Sequence, residues 1–219
     1  REPFAGEVLF ATEKLEVEVN LKDLLFSDEL RLKGISLQHP VINVKVLKDG
    51  RANYDIAIPS SDTAKVEESG EFSFGIDHWE IVNGDVTYDD ESLPFTMTMK
   101  GLQHNGSGDF TQDLFDLTTH TVVDSLDVVY GGTSYMSDKR LEMDAVISIA
   151  EAYTKYTFKE NSAKVNDFAM SFDGWFKMNE NDYAMDITFK SPDNSFKSLL
   201  SIIPGMYTED FKKIGRAHV

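Results

Sequence analysis

The side chains that could carry acid–base or metal chemistry are scattered along this sequence. Its five histidines stand singly, with no H-x-x-x-H pair to place two imidazoles on one helix face. The densest run of carboxylates, YDDES at residues 88–92, is predicted to lie on a strand, where successive side chains point to opposite faces. We interpret this run as a solvated strand end and the histidines as satisfied or exposed.

Phosphate, thiol and nucleic-acid chemistry are disfavoured as well. The GSGD segment at 106–109 lacks the strand–turn–helix context of a phosphate loop, and the chain contains no cysteine. With 38 acidic against 21 basic residues the formal net charge is −17, and no Lys/Arg cluster is present to neutralise phosphates. The sequence therefore predicts a protein without catalytic residues, metal or cofactor, and without a nucleic-acid partner.

Apolar residues alternate with polar ones in several stretches. The apolar members are Leu15, Val17 and Val19; Phe95, Met97 and Met99; Leu141, Met143, Ala145 and Ile147; and Tyr183, Met185, Ile187 and Phe189. Strict alternation predicts half-buried antiparallel strands, since strands of a buried parallel sheet are continuously apolar. The fold class predicted is mainly β, with a curled antiparallel sheet.

Glycine steps are expected to mark the turns of this sheet. Glycine takes the positive φ of a tight turn at little steric cost. Hairpin tips are predicted at Asp49-Gly50, Asn83-Gly84 and Asp173-Gly174, with a further tight turn at Gly131-Gly132. Breaks in the alternation near Gly34 and at Asp167-Phe168 predict bulges or corners where the sheet curls.

Helix is predicted only near the ends. Residues 21–26 and 195–212 show the i, i+3, i+4 spacing of apolar residues that is typical of an amphipathic helix. Residues 60–71 are polar and unpatterned, which indicates an exposed loop. The last six residues, 214–219, resemble a translated sequencing adapter, so we expect one domain over 1–213, open at both ends, followed by a non-native tail.

Eight methionines and fifteen phenylalanines give this chain many adaptable apolar side chains. A long sheet with few covering helices needs either a second sheet or an apolar ligand on its apolar face. Antiparallel neighbours keep the apolar faces contiguous, so one continuous apolar surface, of a kind suited to contact with acyl chains, is predicted. Its residues are Phe95, Met97, Met99, Leu141, Met143, Ile147, Met185, Ile187 and Phe189. A closed two-sheet sandwich is the alternative, because its strands have the same periodicity.

The order of these segments resembles the AsmA family. Residues 30–56 contain a strand, a proline-led strand of alternating aliphatics, then Asp-Gly, two residues, Asn and an aromatic. The segment FGIDHWEIVNGDVTYDDESLPFTMTMKGLQHNGSGDF is similar to the family's next strand–turn–strand unit. The later segments FAMSFDGWFKM and SLLSIIPGMYTEDFKKI are also similar, so the resemblance covers residues 5–213.

The resemblance implies a bridge-like lipid transfer protein of a Gram-negative envelope. Such proteins project into the periplasm from one N-terminal inner-membrane helix, which would lie upstream of residue 1, and carry lipid in a taco-like β groove. The expected function is non-enzymatic binding and transfer of phospholipid acyl chains in outer-membrane biogenesis. The alternative is a structural or interaction module of the envelope, acting in protein assembly or targeting to the outer membrane, without lipid.

Overall fold

The computed structural model describes residues 3–20, 31–55, 75–110, 112–179 and 182–192, together with Ser198 and Ile202. Within these residues the elements are eleven strands: β1 Phe10–Ala11, β2 Lys14–Val19, β3 Arg31–Gln38, β4 Val41–Val46, β5 Gly75–Asp90, β6 Phe95–Ser107, β7 Phe115–Tyr130, β8 Thr133–Ala150, β9 Lys155–Val165, β10 Phe168–Met178 and β11 Tyr183–Lys190. The mainly-β prediction is confirmed.

The helices predicted at the ends fall almost entirely outside the described residues. The predicted helix at 21–26 lies outside them, and so do the predicted loop at 60–71 and the predicted non-native tail at 214–219. Of the helix predicted at 195–212, only Ser198 and Ile202 are described, and both have helical backbone. No helix in the described ranges is long and apolar enough to cross a membrane.

All eleven strands belong to one mostly antiparallel sheet. From β5 to β11 each strand pairs antiparallel with the next strand of the chain. On the other side of β5, β3 runs parallel to its first half and β4 parallel to its second half. Strand β2 pairs with β3, and β1 with β4.

The sheet is open, but it is not strongly curled. The taco-like cross-section predicted from the sequence is therefore not formed by the described strands. Alternation of apolar residues fixes which face of a sheet is apolar, whereas curvature depends on bulges and on what packs against that face. The alternation in this sequence therefore predicts which face of the sheet is apolar, but it does not predict how strongly the sheet curves.

Two of the predicted turns are confirmed. Gly50 lies in the tight turn after β4, at φ 82°, and Gly131 and Gly132 join β7 to β8 at φ 56° and 77°. The predicted break near Gly34 is a register shift between β2 and β3. At Asp167-Phe168 the prediction of a bulge or corner is wrong, because Asn166 and Asp167 form the turn between β9 and β10, and Phe168 begins β10.

The hairpin tip predicted at Asn83-Gly84 is wrong. Both residues lie inside β5, at a bulge where the register with β6 shifts. Pro40, which separates β3 from β4, packs against this bulge, since a Cβ on Gly84 would lie 3.0 Å from the Pro40 Cγ. Glycine is required here by close approach within the sheet, and not by a chain reversal.

The tip predicted at Asp173-Gly174 is wrong as well. Both residues lie in the middle of β10, which is paired on both sides, with β9 and with β11. Gly174 has φ 136°, and a Cβ there would lie 2.0 Å from the carbonyl oxygen of Asp186 on β11. A bulge in β9 opposite this point explains the unusual backbone, because it shifts the register between Phe172 and Gly174.

The best-buried cluster of apolar residues lies at the centre of the sheet. Leu102, Val123 and Leu126 form it, and Val123 is 0% exposed. Half-buried neighbours pack around it, namely Ile81, Val86, Met97, Met99, Val128, Met136 and Leu141. Register shifts in β5 and β7 flank the cluster, and bulges bend strands, which brings these side chains together on one face.

The side chain of the buried Asn161 supplies a hydrogen-bond acceptor at the bulge in β9. The register between β8 and β9 shifts between Asp144 and Ile147, and Asn161 takes the place of a strand carbonyl there. Its Oδ1 accepts a hydrogen bond from the Val146 backbone N–H at 2.7 Å. Asn161 is 4% exposed, and its Nδ2 has no hydrogen-bond partner in the part of the chain that the structure describes.

Candidate functional site

One face of β9, β10 and β11 is apolar at almost every position. Residues opposite each other across strands share a face, so the registers define this set directly. We call it the apolar face: Tyr156, Phe158, Asn161, Ala163 and Val165 on β9; Phe168, Met170, Phe172, Gly174, Phe176 and Met178 on β10; and Tyr183, Met185, Ile187 and Phe189 on β11. None of these side chains carries a charge.

Aromatic contacts run across these three strands in two rows. In one row the ring of Phe172 lies 5.6 Å from that of Phe158 and 6.0 Å from that of Phe189, measured between centroids. In the other row the Phe176 ring lies 6.4 Å from Tyr156 and 5.6 Å from Tyr183, with which it stacks. These distances are typical of favourable aromatic pairs, so the rows hold the surface in a defined shape.

The outer margin of this face is open to solvent. On β11, Tyr183 is 69% exposed, Met185 60% and Phe189 64%, while the β10 side chains of the face are half-buried. Contiguous apolar surface of this kind is uncommon on soluble proteins and marks a binding surface more often than an isolated apolar residue does.

The residues predicted to line a lipid surface are brought onto this same side of the sheet. Ile147 on β8 lies opposite Phe158, which lies opposite Gly174 and then Ile187 on β11. Leu141 and Met143 on β8 lie opposite Val165 and Ala163. On β6, Met97 and Met99 pack against the central cluster, as does Leu141.

Phe95 completes the set at the end of β6, half-buried and in ring contact with Tyr88 at 6.0 Å. The nine predicted residues thus divide by exposure. Those on β6 and β8 are half-buried, whereas Met185 and Phe189 on β11 are largely exposed.

Strand β10 contributes most of the residues that the sequence reasoning missed. Phe168, Met170, Phe172, Phe176 and Met178 alternate without a break across Asp173-Gly174. Interpreting Asp173-Gly174 as a turn divides this alternation between two strands. The uninterrupted period of two was the available signal, and it indicates one long strand.

The opposite side of the sheet is polar. A single register row crosses it from Glu16 on β2 to Lys190 on β11. Between these ends the row contains Ser36, Glu80, Asn105, His120, Asp144, Ser162 and Ser171. We call this side the polar face.

The ionisable groups of the polar face form exposed pairs. His120 Nδ1 lies 2.7 Å from Asp144 Oδ1, and Lys159 Nζ lies 2.7 Å from Asp116 Oδ1. The Lys159 ammonium holds the pKa of Asp116 below its ordinary value. Among the described residues no three His, Asp or Glu side chains are grouped so that they could hold a metal ion.

The carboxylate run at 88–92 is better ordered than expected. Asp90 is buried, and its Oδ1 accepts hydrogen bonds from the Ser92 hydroxyl at 2.6 Å and from the Ser92 and Leu93 backbone N–H groups. The Ser92 hydroxyl is the main cause of a lowered pKa at Asp90. The interpretation of Asp90 as a solvated strand end is wrong, because this side chain closes the turn between β5 and β6.

One ionisable side chain lies near the central cluster. His104 on β6 is opposite Ile81, and its Nδ1 lies 2.9 Å from the Thr121 hydroxyl. Burial, with a smaller contribution from His120, lowers the pKa of His104 below its ordinary value of 6.5. At neutral pH this imidazole is therefore uncharged, so His104 adds no charge to the apolar side of the sheet.

Comparison of this chain with protein-family models, with curated proteins and with solved structures finds no match.

Proposed function

We propose that this chain is a non-enzymatic lipid-binding segment of an AsmA-like envelope protein, which contacts the acyl chains of phospholipid. One observation supports the proposal most: the apolar face on β9, β10 and β11 is uncharged throughout and open to solvent at its β11 margin. The resemblance in the order of strands and turns supports the family assignment.

The chemistry of this face suits acyl chains. Phenylalanine and methionine side chains offer deformable apolar contact to ligands of varied length and unsaturation. Each methylene group removed from water contributes about 0.8 kcal/mol to the free energy of binding. Contact with several methylene groups of one acyl chain therefore stabilises the complex even when the chain is only partly covered. Because the sheet is not strongly curled, the chains would lie along a shallow surface, and the groove of the proposal is open on one side.

The proposed setting follows from the family resemblance. The protein would be held in the inner membrane by a helix upstream of this segment and would work in the periplasm, supporting phospholipid transport and outer-membrane biogenesis. Partners would be phospholipid and envelope proteins. The charge of −17 fits this assignment, since it disfavours nucleic acid as a partner.

The other candidate is a structural module whose apolar face is covered by another envelope protein. Its closed two-sheet form finds no support in the described residues, which form a single sheet. Exposure of Met185 and Phe189 suits a protein partner as well as a lipid, so the experiment must separate the two.

The test places one charge on the apolar face where folding does not depend on the side chain. Met185→Glu is preferred over a change at Met97, because Met185 is 60% exposed whereas Met97 packs against the central cluster. Thr118→Glu is the matched control: it adds the same charge at an exposed position of β7 whose side chain points to the other side of the sheet.

Lipid that co-purifies with each variant is measured by mass spectrometry, and uptake of a fluorescent phospholipid from vesicles is measured by fluorescence. We expect Met185→Glu to lose most of the lipid, because an ion facing acyl chains is strongly disfavoured, and Thr118→Glu to keep it. Equal lipid load in a folded Met185→Glu variant would contradict the proposal. Absence of lipid from the unmodified chain in both assays would favour the protein-covered module.

A further inference from the structure

Strand β11 forms one margin of the sheet in the described part of the chain, and its own residues lack the features that usually protect an edge strand. Among the described residues it pairs only with β10, in a register that continues over Tyr183–Lys190 without a shift. Natural edge strands are commonly protected by a proline, a bulge or a charge that points to the apolar side. None of these is found within β11, since its charged residues, Asp186 and Lys190, lie on the polar face.

The margin formed by β2 is different. Its charged residues lie on the polar face like those of β11, but its register with β3 shifts between Glu18 and Val19. An irregular register of this kind discourages a second strand from pairing. The two margins are therefore unequal, and β11 is the one suited to strand addition.

We propose that β11 pairs antiparallel with β11 of a second copy of this chain, about a twofold axis at Thr188. This interaction goes beyond the proposed function and does not depend on it. In this register Asp186 of each copy lies opposite Lys190 of the other, so the pairing brings two opposite-charge pairs together. Ile187 lies opposite Phe189 in the same way on the apolar side.

The charges select this register over its neighbours. Shifting the axis to Asp186 would place two carboxylates directly opposite each other, which is destabilising. Shifting it to Ile187 would place Asp186 opposite Thr188 and Lys190 opposite Ala184, so neither charge would gain a partner. Only the axis at Thr188 pairs both charges with the opposite sign.

The side chains of these residues are available for such pairing. Lys190 Nζ lies 3.1 Å from Asp173 Oδ2, and both side chains are more than half exposed, so Lys190 can contact a second carboxylate. The exposed side chain of Asp186 makes no hydrogen bond or ion pair with another residue of the described ranges. A twofold axis perpendicular to the sheet also keeps the apolar side of one copy level with that of the other, which doubles the width of the apolar surface.

The test is sedimentation velocity of the full 219-residue chain, stripped of lipid, from low to high micromolar concentration at physiological salt. The unmodified chain should form a dimer that dissociates on dilution, since pairing through one strand buries little surface. Lys190→Asp should raise the dimer dissociation constant about tenfold or more, because two attractive pairs become two repulsive pairs. Asp186→Lys alone should have a similar effect.

The double variant Asp186→Lys with Lys190→Asp is the decisive case. It exchanges the charges across the axis and should restore the dissociation constant to within about threefold of the original. Lys48→Asp makes the same change of charge in an exposed turn and should leave dimerisation unchanged. A chain that stays monomeric throughout, or a double variant that does not recover, would overturn the proposal. Assemblies larger than a dimer would overturn it as well, since they indicate head-to-tail pairing of β11 with β2.

Discussion

Replacing Gly174 by alanine gives the most direct test of how β11 is attached to the sheet. Gly174 lies in the middle of β10 at φ 136°, a value that residues with a side chain rarely adopt. A Cβ at this position would lie 2.0 Å from the Asp186 carbonyl oxygen and 2.8 Å from the Ile187 Cα. Both contacts are with the backbone of β11, so no side-chain rotation relieves them.

The expected cost has two parts. A backbone conformation that is unsuitable for alanine costs on the order of 1–3 kcal/mol. Inserting a methyl group into a space that is already filled costs a further 1–3 kcal/mol, typically by moving the backbone. Gly174→Ala should therefore lower the free energy of unfolding by about 4 kcal/mol, and the displaced segment should be β11.

Gly50→Ala is the matched control. Gly50 also has a positive φ, 82°, but a Cβ there meets no atom within 4 Å, so only the conformational part applies, about 1–2 kcal/mol. Urea denaturation compares the two free energies, and amide hydrogen exchange locates the effect. The reasoning would be refuted by a Gly174→Ala cost no greater than that of Gly50→Ala, or by unchanged exchange protection in β11.

Two further predictions concern polar groups on the apolar side, the buried Asn161 and the half-buried His104. Asn161→Ala should cost about 1–3 kcal/mol in urea denaturation, because the Val146 N–H loses its acceptor. Ser162→Ala, at the exposed neighbouring position, should cost little, and equal effects of the two would contradict the role given to Asn161. The lowered pKa of His104 means that the unfolded chain binds a proton more readily, so His104 contributes stability above about pH 6.5 that is lost as the pH falls toward its lowered pKa. His104→Gln should remove this part of the loss when urea midpoints are compared at about pH 7 and about pH 5, and an unchanged pH dependence would show that His104 does not contribute.

The sequence predicts the strands well where alternation is strict. The stretches around Leu15, Phe95, Leu141 and Tyr183 all lie in strands, and their apolar members share faces as expected. This succeeds because a period of two is a local property that the pleat of a strand imposes directly.

The glycine steps were predicted less well. Asp49-Gly50 is a turn, whereas Asn83-Gly84 and Asp173-Gly174 lie inside paired strands. All three have the same local chemistry. What separates them is a neighbour distant in sequence, Pro40 at Gly84 and the β11 backbone at Gly174, which no window of sequence around the glycine contains.

The candidate site shows the same division. The alternation predicts the side of the sheet on which Met185 and Phe189 lie. It does not predict their exposure, because that depends on the position of β11 at the margin of the sheet. Asn161 likewise gives no signal in the sequence, since its role depends on a shift in register between β8 and β9.

The order of the strands from β5 to β11 has a consequence for how this protein loses its structure. Within the described residues, each strand from β6 to β11 pairs only with its neighbours in the chain, so this part of the sheet behaves like a one-dimensional array in which order spreads from strand to strand. Unfolding then starts at the β11 margin and advances toward the β7–β8 hairpin, where the central cluster and the Gly131-Gly132 turn hold residues close in sequence together. The most exposed part of the apolar surface therefore belongs to the strand that detaches first, and an occupant that bridges β10 and β11 would stabilise the whole array from its weakest end.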